Sequence, residues 1–259
     1  MTLSAPEISD LRAAKAILEN PGLAAKVSNY VGTPIEMGLK KLPESWNATV
    51  NAVARKSIET AFDIALLTLD RDERVPSSNW WHKLAVAATG AGGGAFGLPA
   101  LALELPVSTT IMLRSIADIA RSEGEDLRRP EARLQCVQVL ALGGKSKSDD
   151  GTESGYFTAR AALAKAVSEA AAYVTKKGLS QHGAPAIVRL ISLVASRFSI
   201  VVSEKAAAQA VPVVGALGGA ALNALFIGHF QDMGRGHFII RRLERLHGQE
   251  EVRRLYDAL

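Results

Sequence analysis

Residues 206–228, AAAQAVPVVGALGGAALNALFIG, contain no charged side chain and four glycines. A run of that length can cross a bilayer. Yet Pro212, the glycines and Asn223 interrupt it, and His229 follows directly. A second such run, Leu84–Leu103, holds 20 uncharged residues, with Gly92-Gly93-Gly94 at its centre and Pro99 near its end. A chain with two glycine-rich apolar runs has three ways to place them. They can bury against each other, lie on lipid, or form the walls of a site. Small residues let backbones approach closely, so tight helix packing suits all three.

The two runs belong to a weak internal repeat. Residues 90–124 and 215–248 both begin with clustered glycines, continue into an Arg-bearing amphipathic helix, and end in a glycine at a helix C-cap position. Gly94 to Gly124 is 30 positions and Gly219 to Gly248 is 29. Two Ala/Gly-rich hairpins can also resemble each other through composition alone.

Elsewhere the apolar residues recur at helical spacing. Val50, Val53, Ala54, Ile58, Ala61, Phe62, Ala65 and Leu69 mark one helix within 46–69. Tyr156, Ala159, Leu163, Ala166, Val167, Ala170 and Val174 mark another within 153–176. Residues 185–209, 229–246 and 249–258 give three more. No alternating β-branched run is long enough for a sheet. The expected fold is all-α: a multi-helix bundle with two glycine-rich helical hairpins. Residues 1–44 are an expected N-terminal helical extension, and 45–259 the main helical domain. The segment GGKSKSDDGTESG, 143–155, reads as an exposed loop.

Charge narrows the function classes. Thirty Lys+Arg against 26 Asp+Glu leave a net charge of +4. That excess is too small to argue for nucleic acid, and it is compatible with an anionic lipid surface. Mean hydropathy is +0.11, between an ordinary soluble enzyme and an integral membrane protein. One cysteine, Cys136, leaves no intrachain disulfide and suits a reducing compartment. The first residues lack the basic and apolar regions of a signal peptide, so the expected address is cytoplasmic.

Candidate chemistry is sparse. GGKS at 143–146 lacks the upstream glycine of a phosphate-binding loop, because Val139 stands there. His229, Asp232, Met233 and His237 share one side of a helix, but two histidines eight residues apart sit about 12 Å apart on an ideal helix. Neither a metal nor a cofactor is expected. His237 reads as a hydrogen-bonded member of an apolar seam with Phe226, Phe230, Met233 and Ile240. Glu104, Ser108, Ser115 and Asp118 fall on one helical face, which a solvated surface would also explain. Glu104 ends directly on an uncharged run, however, and needs a partner if buried. Arg235 or Arg241 is the expected one. Cys136 reads as a small core residue. Trp80-Trp81 suits either a membrane interface or the rim of a core.

Three stretches carry a resemblance. They are WWHKLAVAATGAGGGAFGLPALALELPVSTTIMLRSIADIARSEG, ALGGKSKSDDGTESGYFTARAAL and AVPVVGALGGAALNALFIGHFQDMGRGHFIIRRLERLHG. In that order they resemble the central and C-terminal motifs of the EcsC family, over roughly residues 45–250. The resemblance implies a bacterial, all-helical protein. The family is named from a gene near those of an ABC transporter implicated in protein secretion, and a peripheral membrane role is implied. It brings no catalytic mechanism and no catalytic residue. Glu104 stands where Asp is expected in many relatives.

The leading expectation is therefore a non-enzymatic protein, peripheral on the inner membrane or associated with a transport or secretion component. The alternative is a hydrolase or lipid-ligand protein with a site between the hairpins. Glu104, His229, Asp232, His237 and Arg241 would form it, with Asp118 and Asn223 as further candidate binding residues. A third option is a helical adaptor that docks through the basic C-terminal helix. There, Glu244, Glu250 and Glu251 interleave with Arg235, Arg241, Arg242, Arg245, Arg253 and Arg254, so intrahelical ion pairs compete with docking.

Overall fold

The structure, a computed structural model, describes residues 3–19, 23, 26–28, 44–69, 98–143, 155–177, 184–209 and 219–259. Among them lie eight named helices and no strand. They are α1 (Ala5–Leu18), α2 (Glu44–Thr68), α3 (Leu98–Ser122), α4 (Pro130–Leu142), α5 (Gly155–Lys177), α6 (Pro185–Gln209), α7 (Gly219–His247) and α8 (Gln249–Ala258). The expected all-α bundle is what the chain forms. Trp80, Trp81, the glycine clusters at 90–97 and 215–218, and the polar segment 144–154 lie outside the described residues.

Helix α4 is the hub. Residues 132–141 are all buried, and α2, α3, α5, α6 and α7 pack around them. A helix with no solvated stripe belongs in the middle of a bundle. Cys136 is fully buried there, and burial pushes its thiol pKa up, so it behaves as the expected core residue. The apolar stripes of α2 and α5 turn inward, with Ala54, Ile58, Phe62, Leu163 and Ala170 each at most 1% exposed.

Helix directions decide which side chains can meet. Ser115 bonds Gln231 and Glu125 bonds Arg241, each pair 116 residues apart, so α3 and α7 run parallel. Gln135 meets His237 and Gly143 meets His229, so α4 runs antiparallel to α7. Helix α1 also lies antiparallel on α7. Asp10 pairs with Arg242 at 2.5 Å, and Leu18 covers Gly236 so closely that a Cβ there would meet its side chain at 2.6 Å. Each repeat half is one long helix within the described residues. Both helices stop where the sequence places a cap: Gly124 and Gly248 have φ of 80° and 88°, a region costly for other residues.

Helix α6 is long and apolar enough to cross a membrane, with mean hydropathy 1.8. Its exposed positions include Arg189 and Ser196, however, while Leu190, Val194, Phe198, Val201 and Val202 are buried. That pattern is the polar outer stripe of a helix packed in a bundle.

Candidate functional site

Helix α7 carries most of the candidate residues. His237 is fully buried between α4 and α5. Its Nε2–H donates to Gln135 Oε1 at 3.1 Å, and its Nδ1 accepts from the Tyr156 hydroxyl at 3.0 Å. This tautomer is assigned from Gln135, whose amide oxygen can only accept. Arg160 donates to the same hydroxyl at 3.4 Å and grips Glu244 through two bonds of 2.7 and 2.6 Å. A continuous polar chain thus runs Gln135–His237–Tyr156–Arg160–Glu244 through the core. Burial, aided by the Arg160 and Arg241 charges, holds the His237 pKa well below its ordinary range. Burial also raises the Tyr156 pKa to about 12. His237 is thus a neutral, doubly bonded core histidine.

His229 lies two turns earlier, 2% exposed, with its Nε2–H donating to the Gly143 carbonyl at 3.0 Å. Its Nδ1 has no partner among the described residues. Burial lowers its pKa to about 4, so it too is neutral at physiological pH. The contact explains Gly143: a Cβ there would meet His229 Nε2 at 2.7 Å and Phe230 Cε1 at 2.9 Å. Both atoms belong to rings held in the core. Gly143→Ala is expected to cost about 1–3 kcal/mol by overpacking, read as a lower urea midpoint with unchanged slope.

Glu104 does not pair with Arg235 or Arg241. It bonds Lys205 on α6 at 2.5 Å. The parallel register is the reason: it sets Arg241 beside Glu125, at 2.7 Å, 21 residues further along the chain than Glu104. Lys205 is fully buried and its ammonium sits 4.5 Å from the Phe226 ring centroid. Burial lowers the Lys205 pKa while the Glu104 charge opposes that shift. Asn223, one turn before Phe226, is 5% exposed, and its Oδ1 has no partner among the described residues.

The other candidates sit apart. Asp118 is exposed and bonds Arg121 at 2.8 Å on its own helix. Ser108, on the same expected polar face, is instead fully buried and bonds the Leu105 carbonyl. Asp232 pairs with Lys26 and with Arg235, each at 3.0 Å. Among the described residues, no hydrogen bond or ion pair joins any two of Glu104, Asp118, Asn223, His229, Asp232, His237 and Arg241. The residues brought together are Glu104 with Lys205 and Phe226, and His237 with Gln135 and Tyr156.

The C-terminal arginines have carboxylates within the chain. Arg235 has Asp232, Arg241 and Arg245 share Glu125, and Arg242 has Asp10 and Glu123. Arg253 has Asp257 and Arg254 has Glu251. Arg241, Arg242 and Arg245 thus tie α7 to the turn after α3 and to α1, whereas these pairs of Arg235, Arg253 and Arg254 lie within their own helices.

Sequence reasoning missed Lys205, Tyr156, Gln135, Arg160 and Glu244 as partners. Two signals were present. A tyrosine on an apolar stripe needs a partner for its hydroxyl, and Lys205 is the charge that bounds the long uncharged run.

Taken together, these features define an all-helical bundle with a buried polar interior and no metal-ligand cluster among the described residues. The chain belongs to the EcsC protein family, whose model matches residues 16–243. No curated protein and no solved structure matches it.

Proposed function

We propose that this EcsC-family protein is a non-enzymatic, peripheral membrane protein whose glycine-rich end lies against the inner leaflet. One observation supports this reading above others. Parallel packing of α3 and α7 puts their first turns at the same end of the bundle, and α6 finishes there, since its Lys205 reaches Glu104 and Phe226. The described parts of both uncharged runs therefore lie at one end of the bundle: 98–103 at the start of α3, and 206–209 with 219–228 at the end of α6 and the start of α7.

Leu103 stands at that end and is 80% exposed, the most exposed of the large apolar side chains described. Arg241, Arg242 and Arg245 of α7 lie far from it, paired around Glu123 and Glu125, and Arg121 of α3 bonds Asp118 and the Leu69 carbonyl there. Among the described residues the first end carries Leu103 beside the charge-neutral Glu104–Lys205 pair. The other end carries the arginine–carboxylate pairs along with the 60% exposed Leu246, an uneven distribution of charge that orients a molecule on a surface. The polar outer stripe of α6 favours contact by an end over spanning.

Flotation with anionic vesicles tests the reading. The wild-type chain is expected to float with lipid. Moving one leucine from water into lipid contributes about 1.5–3 kcal/mol. Leu103→Asp is therefore expected to lower the partition coefficient about tenfold to a hundredfold without changing the unfolding midpoint. A wild-type chain that stays with the aqueous fraction at all lipid concentrations overturns the reading.

A further inference from the structure

We propose that Glu104, Lys205 and Asn223 form a binding site for a neutral hydroxylated group, such as a glycerol moiety, at the Leu103 end of the bundle. The proposal names a ligand chemistry for the membrane reading and rests on that reading only where the hydroxyls belong to a lipid.

Three helices build the site. Glu104 from α3 and Lys205 from α6 bond at 2.5 Å, and Lys205 also lies over Phe226 of α7. Asn223 precedes Phe226 by three residues, which puts both on one side of α7, with neighbouring Cβ atoms about 5–6 Å apart. The parallel register independently sets Glu104 level with the first turn of α7. Leu101, Leu105 and Leu222 are buried nearby on the same helices. Apolar walls with a few fixed polar groups are the usual construction of a ligand site.

The hydrogen-bonding capacity left over selects the ligand. An ammonium has three donors and a carboxylate about four acceptor positions, and the pair uses one of each. Phe226 takes one face of the Lys205 ammonium as a cation–π contact, which leaves donors over. Asn223 Oδ1 adds a buried acceptor without a donor among the described residues. Leaving such a group unpaired costs free energy. The site thus offers both donors and acceptors, and its two charges cancel. A phosphate accepts only, so it would face the Glu104 carboxylate and leave Asn223 Oδ1 unpaired. A cation, whether an ammonium donor or a metal ion, accepts no hydrogen bond and would face the Lys205 ammonium. A hydroxyl both donates and accepts and carries no charge. The 20% exposure of the Glu104 side chain gives the site an edge open to solvent or to a headgroup.

The test uses the full chain, the wild type and Asn223→Leu, which removes the orphan acceptor and creates no buried charge. Glu104→Gln serves as a second variant of near-identical shape. Two vesicle compositions of equal negative charge are compared, phosphatidylglycerol and phosphatidylserine, each in phosphatidylcholine. Free glycerol at millimolar concentration is probed in parallel by saturation-transfer NMR. The wild type is expected to prefer phosphatidylglycerol vesicles by about tenfold, and both variants to lose that preference while keeping binding common to the two lipids. Transfer to free glycerol that Asn223→Leu abolishes, without vesicle binding, supports a soluble polyol as the source and overturns the membrane reading alone. Equal binding to both vesicles, with no transfer to glycerol, overturns the site and leaves the membrane reading standing. Should a variant unfold, wild-type preference and transfer decide the proposal by themselves.

Discussion

Glu104→Ala is expected to lower stability by about 3 kcal/mol at neutral pH, far more than a surface carboxylate would. The reason is Lys205, whose side chain is fully buried. With Glu104 removed, the ammonium keeps only the Phe226 ring and must remain charged in an apolar site or give up its proton there. Breaking one side of a buried pair typically costs about 3–5 kcal/mol. The 20% exposure of the Glu104 side chain places this pair at the low end of that range. The double variant Glu104→Leu with Lys205→Met removes both charges and keeps the volume, so it is expected to recover most of the loss. Urea unfolding of Glu104→Leu, Lys205→Met and the double variant measures the coupling directly. Additive losses would mean that the pair does not act as a buried unit.

The second large effect is acid lability set by two core histidines. His229 has its pKa lowered to about 4 from the ordinary 6.5, and His237 is lowered well below 6.5, both chiefly by burial. A histidine with a depressed folded-state pKa binds its proton more readily in the unfolded chain. Stability is therefore complete above pH 6.5 and declines as pH falls from there towards the folded-state pKa. Each such group contributes a slope of about 1.4 kcal/mol per pH unit. His229 alone accounts for a loss of about 3 kcal/mol between pH 6.5 and about 4. His229→Gln keeps a donor for the Gly143 carbonyl and removes the titration. Its urea midpoint is expected to fall less steeply between pH 6.5 and 4.5 than that of the wild type. Parallel curves would mean that His229 does not titrate with folding.

Much of this fold could be read from periodicity because a helix's backbone bonds and its apolar stripe are local in sequence. The stripe Val50–Leu69, the stripe Tyr156–Val174 and the seam Phe226–Ile240 are all inward faces in the structure. The caps at Gly124 and Gly248 were equally legible, since a positive φ favours glycine. Partners were not legible, because they depend on which helices lie side by side and in which direction. Tyr156 and Gln135 reach His237 from 81 and 102 residues away, and nothing in the His237 neighbourhood of the sequence specifies them. The same holds for Glu104. Pairing it with Arg235 or Arg241 assumes that the two repeat helices oppose each other, whereas they run parallel and Arg241 arrives at Glu125. Ser108 fell on the polar side of a helical wheel but lies inside, its hydroxyl satisfied by the Leu105 carbonyl one turn back.

The membrane reading rests on which end of the bundle meets lipid, and a single pair of labels addresses that. The one cysteine, Cys136, is buried, so a cysteine introduced at an exposed position takes a spin label selectively. Leu103→Cys places the label at the glycine-rich end, and Asp118→Cys places it on the exposed face further along α3. With anionic vesicles present, the label at 103 is expected to become accessible to oxygen, which concentrates in lipid, and shielded from a water-soluble nickel complex. The label at 118 is expected to keep its aqueous profile. Two labels that both stay aqueous in the presence of excess vesicles would contradict the account.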